Sequence, residues 1–282
     1  MKKIISGFAL LFALLLVSAS SFAQNDTIVV AKTGKGMPVL FLPGFTTPGS
    51  VWNETIQHFE TSRESHVISY AGFNGLKPID TPWYPSLKKA IIDYVTTQKL
   101  AHLTIIGHSM GGDLAIDIAA SLPTYVDKLI LVDALPCMRA VMIPGAKSGD
   151  IQYNSPYNKQ LLSMQPEPFK KSAAMMAGGM TLNKSKIDTL TNWIIEADRK
   201  TYVYGYTDLL KLDLREALAD VKAKTLILGA SFPNVEMVNK TLGEQYARLE
   251  NKTIEIAKDS KHFVMFDQPE WFYQQVNAFL AK

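Results

Sequence analysis

The chain has 282 residues, of which 47% are hydrophobic and 20% charged, and its formal net charge is +3. This length is enough for one large core that carries an insertion, and the small net charge gives no basis for a nucleic-acid partner. A single cysteine, Cys137, excludes an internal disulfide, so packing must supply the stability.

The N-terminal residues 1–23 predict a secretory signal segment. Lys2 and Lys3 precede an apolar core at residues 8–17, and small residues end the segment at Ala23. Because this core is shorter than the roughly 20 residues that a membrane-spanning helix needs, we expect cleavage after Ala23 rather than a membrane anchor. The domain is then residues 24–282, exported to the periplasm or secreted.

Strands and helices alternate along the first half of the domain. The predicted strands are residues 27–31, 37–42, 66–70, 103–106 and 127–133, and the predicted helices are residues 50–60, 86–98 and 113–121. Such alternation implies an α/β fold with a mostly parallel central sheet and helices on both faces. The Gly- and Pro-rich residues 73–85 predict a long loop, and loops at the carboxyl ends of parallel strands carry function.

One strand-to-helix turn carries a G-x-S-x-G motif centred on Ser109. Residues 103–106 have the β-branched content of a buried strand, and residues 113–121 have helical spacing of apolar side chains. Glycines at 107 and 111 permit a strained turn that lifts the serine hydroxyl clear of the sheet. The turn also stands at a helix N-terminus, which favours negative charge, so we predict that Ser109 is a nucleophile.

The alternation of strands and helices is interrupted from about residue 136 to about residue 206. Helical segments rich in Met, Tyr and Gln there predict an inserted helical cap. The predicted cap helices are residues 158–165, 168–177 and 186–200. Met175, Met176 and Met180 would form either an adaptable apolar lining or the core of the cap. Six aromatic residues could likewise either line the substrate site or pack in the core: Trp83, Tyr84, Trp193, Tyr202, Tyr204 and Tyr206.

After the predicted cap, the alternation of strands and helices resumes. Strands are predicted at 223–229 and 253–257, with a helix at 235–249 between them and a last helix from residue 269.

Of the five histidines, His262 is the predicted general base. It lies in the loop between the last strand and the last helix, from which its side chain can reach Ser109. His58 and His66 fall within a predicted helix and a predicted strand and are interpreted as surface or structural residues. His102 lies just before the predicted strand at residues 103–106. The variable residue of the motif, His108, is expected to point away from the nucleophile.

These features together resemble the capped α/β-hydrolase family across the whole of residues 24–282. The resemblance rests on the elbow GHSMGG, the loop Pro43-Gly44-Phe45 after an early strand, the insertion after the strand ending at Asp133, and His262 before the final helix. The family orders its triad as serine, carboxylate and histidine along the chain. The sequence departs from the family at Pro43, where many members have histidine, and after Gly229, where the expected aspartate is missing.

An oxyanion hole needs two N–H groups aimed at one point. Met110, the residue after the nucleophile, and Phe45, in the early loop, are the predicted donors, with Gly44 allowing close approach of the backbone. The alternative for the Pro43-Gly44-Phe45 loop is a simple turn.

Several groups are candidates for the acid of the catalytic triad. Asp133 is the preferred candidate because it ends the strand after the serine helix, and some relatives of this fold carry their acid there. In other relatives an aspartate at that place braces the sheet edge, so Glu236, or a water or polar substitute, remains an alternative. Asp267 is predicted to cap the final helix.

The sequence therefore predicts an exported serine hydrolase that cleaves carboxylic esters of a small-molecule acyl substrate through an acyl-enzyme. Serine at position 109 rules out haloalkane dehalogenases and epoxide hydrolases. The resemblance to the family implies that those enzymes have aspartate there. Lactones, thioesters, amides and carbon–carbon bonds remain open as substrates, as does a binding protein that kept the fold without turnover. No metal or nucleotide motif occurs, so no cofactor is expected, and no membrane insertion is expected after cleavage.

Overall fold

A computed structural model describes the backbone of residues 21–24 and 26–281 and the side chains of residues 26–281. Residues 1–20, most of the predicted signal segment, lie outside the described residues. Ser21–Gln24 forms an edge strand that, within the described residues, pairs only with the strand after it. Cleavage after Ala23 would remove most of this strand and leave the other described strand pairings intact.

Within the described residues, eight strands form one sheet in the order β1-β2-β4-β3-β5-β6-β7-β8. The strands are β1 Ser21–Gln24, β2 Ile28–Gly34, β3 Pro38–Leu42, β4 Glu64–Tyr70, β5 Leu103–His108, β6 Val126–Val132, β7 Lys224–Ala230 and β8 Lys252–Ala257. Strands β3 to β8 are mutually parallel, and β2 pairs antiparallel with β4. The predicted fold class is confirmed.

Helices cover both faces of the sheet. The α-helices of the described residues are α1 Asn53–Gln57, α2 Trp83–Thr97, α3 Met110–Ser121, α4 Met138–Met142, α5 Pro156–Ser163, α6 Pro166–Met180, α7 Ile187–Ile195, α8 Arg199–Lys211, α9 Val235–Gln245, α10 Val264–Asp267 and α11 Pro269–Leu280. Short 3-10 helices occupy Gly49–Trp52, Ser148–Asp150, Lys184–Lys186 and Ala217–Asp220.

The central strand β5 shows why both faces need cover. Every residue of β5 is buried. Ile105 packs into the core formed with α2 and α3, whereas Ile106 packs into the core formed with α11 and Trp52, because successive side chains of a strand point to opposite faces. A continuous apolar run therefore suits this strand.

Helix α2 begins at Trp83, three residues before the predicted start. The Asp208 carboxylate accepts hydrogen bonds from the backbone N–H groups of Trp83 (2.8 Å) and Tyr84 (3.0 Å). These are two of the N–H groups that a helix N-terminus leaves without an intrahelical acceptor, and Pro85 is tolerated in a first turn. A residue 125 positions away in the sequence thus sets this boundary.

Five α-helices, α4 to α8, lie between β6 and β7. The segment predicted as one helix at residues 186–200 is two helices, since Asp198, with φ −53° and ψ 124°, is not helical and is the N-cap of α8. Its carboxylate accepts hydrogen bonds from the backbone N–H (2.8 Å) and hydroxyl (2.7 Å) of Thr201, and its own N–H donates to Gly72 O (2.8 Å). Helix α8 continues to Lys211, beyond the predicted end of the insertion near residue 206.

Candidate active site

Ser109 lies at the turn between β5 and α3, where the sequence predicted a strand-to-helix elbow. Its backbone has φ 53° and ψ −124°, in the left-handed region that non-glycine residues rarely adopt. The turn is held by hydrogen bonds from Ser109 N to Val132 O (2.9 Å) and from Gly112 N to Ser109 O (2.8 Å). The strained turn sets the side chain apart from both the strand and the helix.

The two motif glycines are required by close backbone contacts. A Cβ at Gly107 would lie 2.2 Å from Gly111 O, and a Cβ at Gly111 would lie 2.1 Å from Leu42 O. Both distances are far below van der Waals contact. The motif therefore packs α3 directly onto β5 and onto the end of β3.

His262 and Asp133 form a hydrogen-bonded pair beside this turn. His262 Nδ1 lies 2.7 Å from Asp133 Oδ2, and Asp133 Oδ1 accepts a hydrogen bond from Ala230 N (3.0 Å). Asp133 directly follows β6, and His262 lies in the loop between β8 and α10. With Nδ1 donating to the carboxylate, Nε2 carries no proton in the neutral ring and can accept one.

The environment keeps Asp133 ionised. Burial raises the pKa of its carboxyl, but the hydrogen bond and charge of His262, together with the Ala230 N–H, outweigh burial and leave the pKa below its usual value. Glu236, the alternative acid in the sequence analysis, is exposed in the first turn of α9. The structure thus brings Asp133, and not Glu236, to His262.

His108 lies against His262, with 4.6 Å between the ring centroids. Its Nε2 donates a hydrogen bond to His262 O at 2.9 Å. Burial, followed by the charge of His262, lowers the pKa of His108 to about 3, so this ring stays neutral. It fixes the backbone of the histidine loop, a role that nothing in the local sequence predicts because the two residues are 154 positions apart.

Asp267 has a different role from the predicted cap of the final helix, and that prediction was wrong. The N-cap of α11 is Gln268, which makes no side-chain cap hydrogen bond. Asp267 Oδ2 instead accepts from Lys261 N (2.8 Å), and Oδ1 accepts from Thr181 Oγ1 and Leu182 N (2.9 Å). Because donors from two loops converge on this carboxylate, Asp267 ties the backbone next to His262 to the end of α6.

The predicted oxyanion donors lie at the same place. Met110 is the first residue of α3, so its N–H has no intrahelical acceptor, and both Phe45 and Met110 line one cavity with Ser109. A Cβ at Gly44 would lie 2.8 Å from His108 Nδ1 and 3.4 Å from Ser109 Cβ. Glycine at 44 therefore lets the early loop approach the serine.

This cavity has a volume of about 490 Å³, and Ser109, Asp133 and His262 all line it. The helices between β6 and β7 supply much of its apolar wall: Met176, Met180, Trp193, Tyr202, Tyr206 and Leu209. Met175 is 74% exposed and does not line the cavity. Trp83 and Tyr84 are buried in the core, and Tyr204 packs against Tyr153.

The three remaining histidines lie outside the cavity lining. His58 is exposed and stacks on Tyr273, with 4.0 Å between the centroids. His66 is fully buried, with Nδ1 2.7 Å from Tyr94 Oη and Nε2 2.9 Å from Glu64 Oε1.

The sequence matches the alpha/beta hydrolase family over residues 39–275. The chain belongs to this family. The family resemblance seen in the elbow, the early loop and the late histidine is therefore confirmed. The match begins within β3 and ends within α11, so it includes every predicted site residue.

Curated relatives of this alpha/beta hydrolase include pimeloyl-[acyl-carrier protein] methyl ester esterases from several bacteria. The one from Vibrio atlanticus is 22% identical over 266 residues, covering 92% of this chain and 100% of that protein. The one from Pectobacterium carotovorum is 25% identical over 247 residues, covering 86% of this chain and 93% of that protein.

Solved structures share the fold. An esterase from Exiguobacterium antarcticum matches with a TM-score of 0.73 and 19% identity, covering 94% of this chain and 100% of that one. Est816, described as an N-acyl homoserine lactone degrading enzyme, matches with a TM-score of 0.69 and 16% identity, covering 92% and 100%. At these identities the likeness concerns the fold of the hydrolase.

Among residues 26–281 of the hydrolase, no group of three or more His, Cys, Asp or Glu side chains is placed to hold a metal ion. A search of the same described part of the chain for a helix long and apolar enough to cross a membrane also finds none.

Proposed function

We propose that this chain is an exported serine hydrolase that cleaves carboxylic esters through an acyl-enzyme on Ser109. The observation that carries the proposal is the hydrogen-bonded His262–Asp133 pair in the cavity that the elbow serine also lines. Nucleophile, base and orienting carboxylate in one cavity are the arrangement that acyl transfer requires. The names of the curated relatives favour methyl esters as the first substrates to try.

In the proposed reaction, Ser109 Oγ attacks the ester carbonyl carbon while His262 Nε2 takes the hydroxyl proton. The negative charge that develops on the carbonyl oxygen is stabilised by the N–H groups of Met110 and Phe45. Collapse of the tetrahedral intermediate breaks the bond to the alcohol oxygen, which takes the proton from His262. Water then attacks the carbonyl carbon of the acyl-enzyme while His262 Nε2 takes its proton. When the bond from this carbon to Ser109 Oγ breaks, His262 returns the proton to Oγ, and the carboxylic acid and the free Ser109 hydroxyl are released.

The role of Asp133 in this scheme is to hold one tautomer of His262 and to stabilise its imidazolium form. A carboxylate with a lowered pKa stays ionised throughout the neutral range and can do both. His108 and Asp267 act on the backbone of the histidine loop and are positioning residues.

A fluorophosphonate probe tests the nucleophile. We expect wild-type protein to be labelled at Ser109, because the probe reacts with serines activated by a neighbouring base. Ser109→Ala should show neither labelling nor hydrolysis of methyl esters above background. Ser121→Ala is a matched control, since Ser121 is exposed at the end of α3 and its hydroxyl donates to Asp117 O of the same helix, so labelling should persist.

A folded wild type that resists labelling and hydrolyses no ester would contradict the proposed reaction and support a binding protein with this fold. Labelling combined with turnover of lactones or thioesters, and none of esters, would retain the nucleophile and change the bond that is cleaved.

Export is a separate part of the proposal and rests on the lysines, apolar core and small residues of the leader. Expressed with this leader in a bacterial host, the protein should be recovered outside the cytoplasm and begin at Gln24. Intact-mass measurement of the recovered protein gives the answer directly. A membrane-bound chain that retains Met1 would overturn both the processing and the location.

A further inference from the structure

Asp113 is a carboxylic acid in the wall of the cavity that the proposed reaction does not use. It lies in the first turn of α3, four residues after Ser109, and is only 7% exposed. It lines the cavity together with Ser109 and with apolar neighbours such as Leu135 and Leu209. Its Oδ1 is fully buried and has no hydrogen-bond partner within residues 26–281.

The fold does not explain this carboxyl. A buried polar atom without a hydrogen-bond partner destabilises a fold, and an apolar side chain of similar size would avoid that penalty. Asp117, one turn further along the same helix, has an ordinary structural role, because it pairs with Lys88 Nζ at 2.7 Å. Asp113 has no such ion pair among the described residues.

The surroundings of Asp113 also determine its protonation. Burial, followed by the charge of Asp117, raises the pKa of the Asp113 carboxyl well above its usual value. The other titratable groups near it are the buried hydroxyls of Tyr84 and Tyr246, and neither supplies a positive charge. This raised pKa favours the uncharged acid, whose O–H group is a hydrogen-bond donor that can serve a ligand.

We propose that Asp113 forms a polar subsite of the substrate cavity, where its carboxyl donates a hydrogen bond to an uncharged oxygen of the substrate. This inference rests on the proposed function in that the substrate is taken to be an ester. The helix rises about 1.5 Å per residue, so Asp113 lies about 6 Å along the axis from Ser109. The recognised carbonyl, ether or hydroxyl oxygen then lies several bonds from the scissile carbonyl carbon.

Binding to Ser109→Ala protein tests the subsite without requiring turnover. Methyl 5-oxohexanoate and methyl hexanoate differ only in a ketone on the acyl side, and 3-oxobutyl acetate and butyl acetate differ only in a ketone on the alcohol side. Titrations are followed by tryptophan fluorescence, since Trp193 lines the cavity. We expect the Kd of the oxo ester to be about 3- to 10-fold lower than that of its partner in one of the two series, as for one added hydrogen bond.

The subsite predicts how this preference responds to substitution. Asp113→Leu in the Ser109→Ala background should abolish the preference, while Asp113→Asn, which keeps an uncharged donor, should retain most of it. Asp93→Asn, which neutralises an exposed carboxylate on α2 that pairs with Lys89, is the control and should leave the preference unchanged. Thermal melting checks the fold, and Asp113→Leu should melt no lower than its parent because it removes an unpartnered buried group; should it not fold, Asp113→Ala takes its place.

Equal affinity for oxo and plain esters in both series, or a preference that survives Asp113→Leu, would overturn the subsite. Either result beside a wild type labelled by fluorophosphonate leaves the serine hydrolase intact. The opposite outcome is a wild type that fluorophosphonate does not label, together with a preference for the oxo ester that Asp113→Leu abolishes. This outcome would support the subsite and contradict the proposed reaction.

Discussion

Asp133→Asn is expected to lower kcat on an activated ester by about 10⁴-fold at neutral pH, the size of the effect in the serine-protease triad. The geometry explains why asparagine cannot substitute. Asp133 Oδ1 accepts the Ala230 N–H, so the amide oxygen of asparagine would stay there and its NH₂ group would face His262 Nδ1. Nδ1 would then accept, the proton would move to Nε2, and the base could not take the serine proton.

Glu236→Gln is the matched control for this prediction. Glu236 is exposed in the first turn of α9, so its neutralisation should leave kcat within about twofold of wild type, as expected for a surface change. Steady-state kinetics and thermal melting of both variants separate lost chemistry from lost folding. Near-full activity in Asp133→Asn would exclude Asp133 as the triad acid.

The Asp133 carboxylate should also make the stability of the folded protein depend on pH. The pKa of Asp133 is lowered in the folded chain, so its ionised form stabilises the fold above the unfolded pKa of about 3.9. That contribution is lost as the pH falls through the lower folded pKa. The difference in Tm between wild type and Asp133→Asn should therefore narrow in acid.

The second large effect is expected for Gly111→Ala, which should reduce kcat by 100-fold or more. The added Cβ would lie 2.1 Å from Leu42 O and 2.5 Å from Pro43 O, and backbone atoms cannot turn aside as a flexible side chain can. Either α3 or the end of β3 must move, and β3 leads into the loop that carries Phe45. Loss of one oxyanion donor alone costs about 10²- to 10³-fold in kcat, and overpacking costs about 1–3 kcal/mol of stability.

Gly243→Ala controls for the general effect of replacing glycine by alanine in a helix. Gly243 lies in α9, and a Cβ there would have no heavy atom within 4 Å. Alanine should stabilise this helix by up to about 1 kcal/mol and leave kcat unchanged. Kinetics and chemical denaturation of the pair give the comparison, and wild-type turnover in Gly111→Ala would show that the close contact with β3 is not needed for the site.

The sequence alone determined the features that depend on local pattern. Apolar runs and helical spacing predicted the parallel sheet. The glycines around Ser109 predicted the sharp strand-to-helix turn, because its close backbone contacts require glycine at neighbouring positions in the sequence. The position of His262 after the last strand also follows from the order of elements along the chain.

The tertiary structure decided what depends on contacts between distant residues. It brings Asp133 to His262 across 129 positions, where the sequence left Glu236 open. It likewise places the Asp267 carboxylate against the histidine loop. It also buries Asp113 Oδ1 in the wall of the cavity, where this atom has no hydrogen-bond partner among residues 26–281. A carboxylate has the same chemistry in any sequence context, so its role is fixed by the donors and the solvent around it, and only the packed fold determines those.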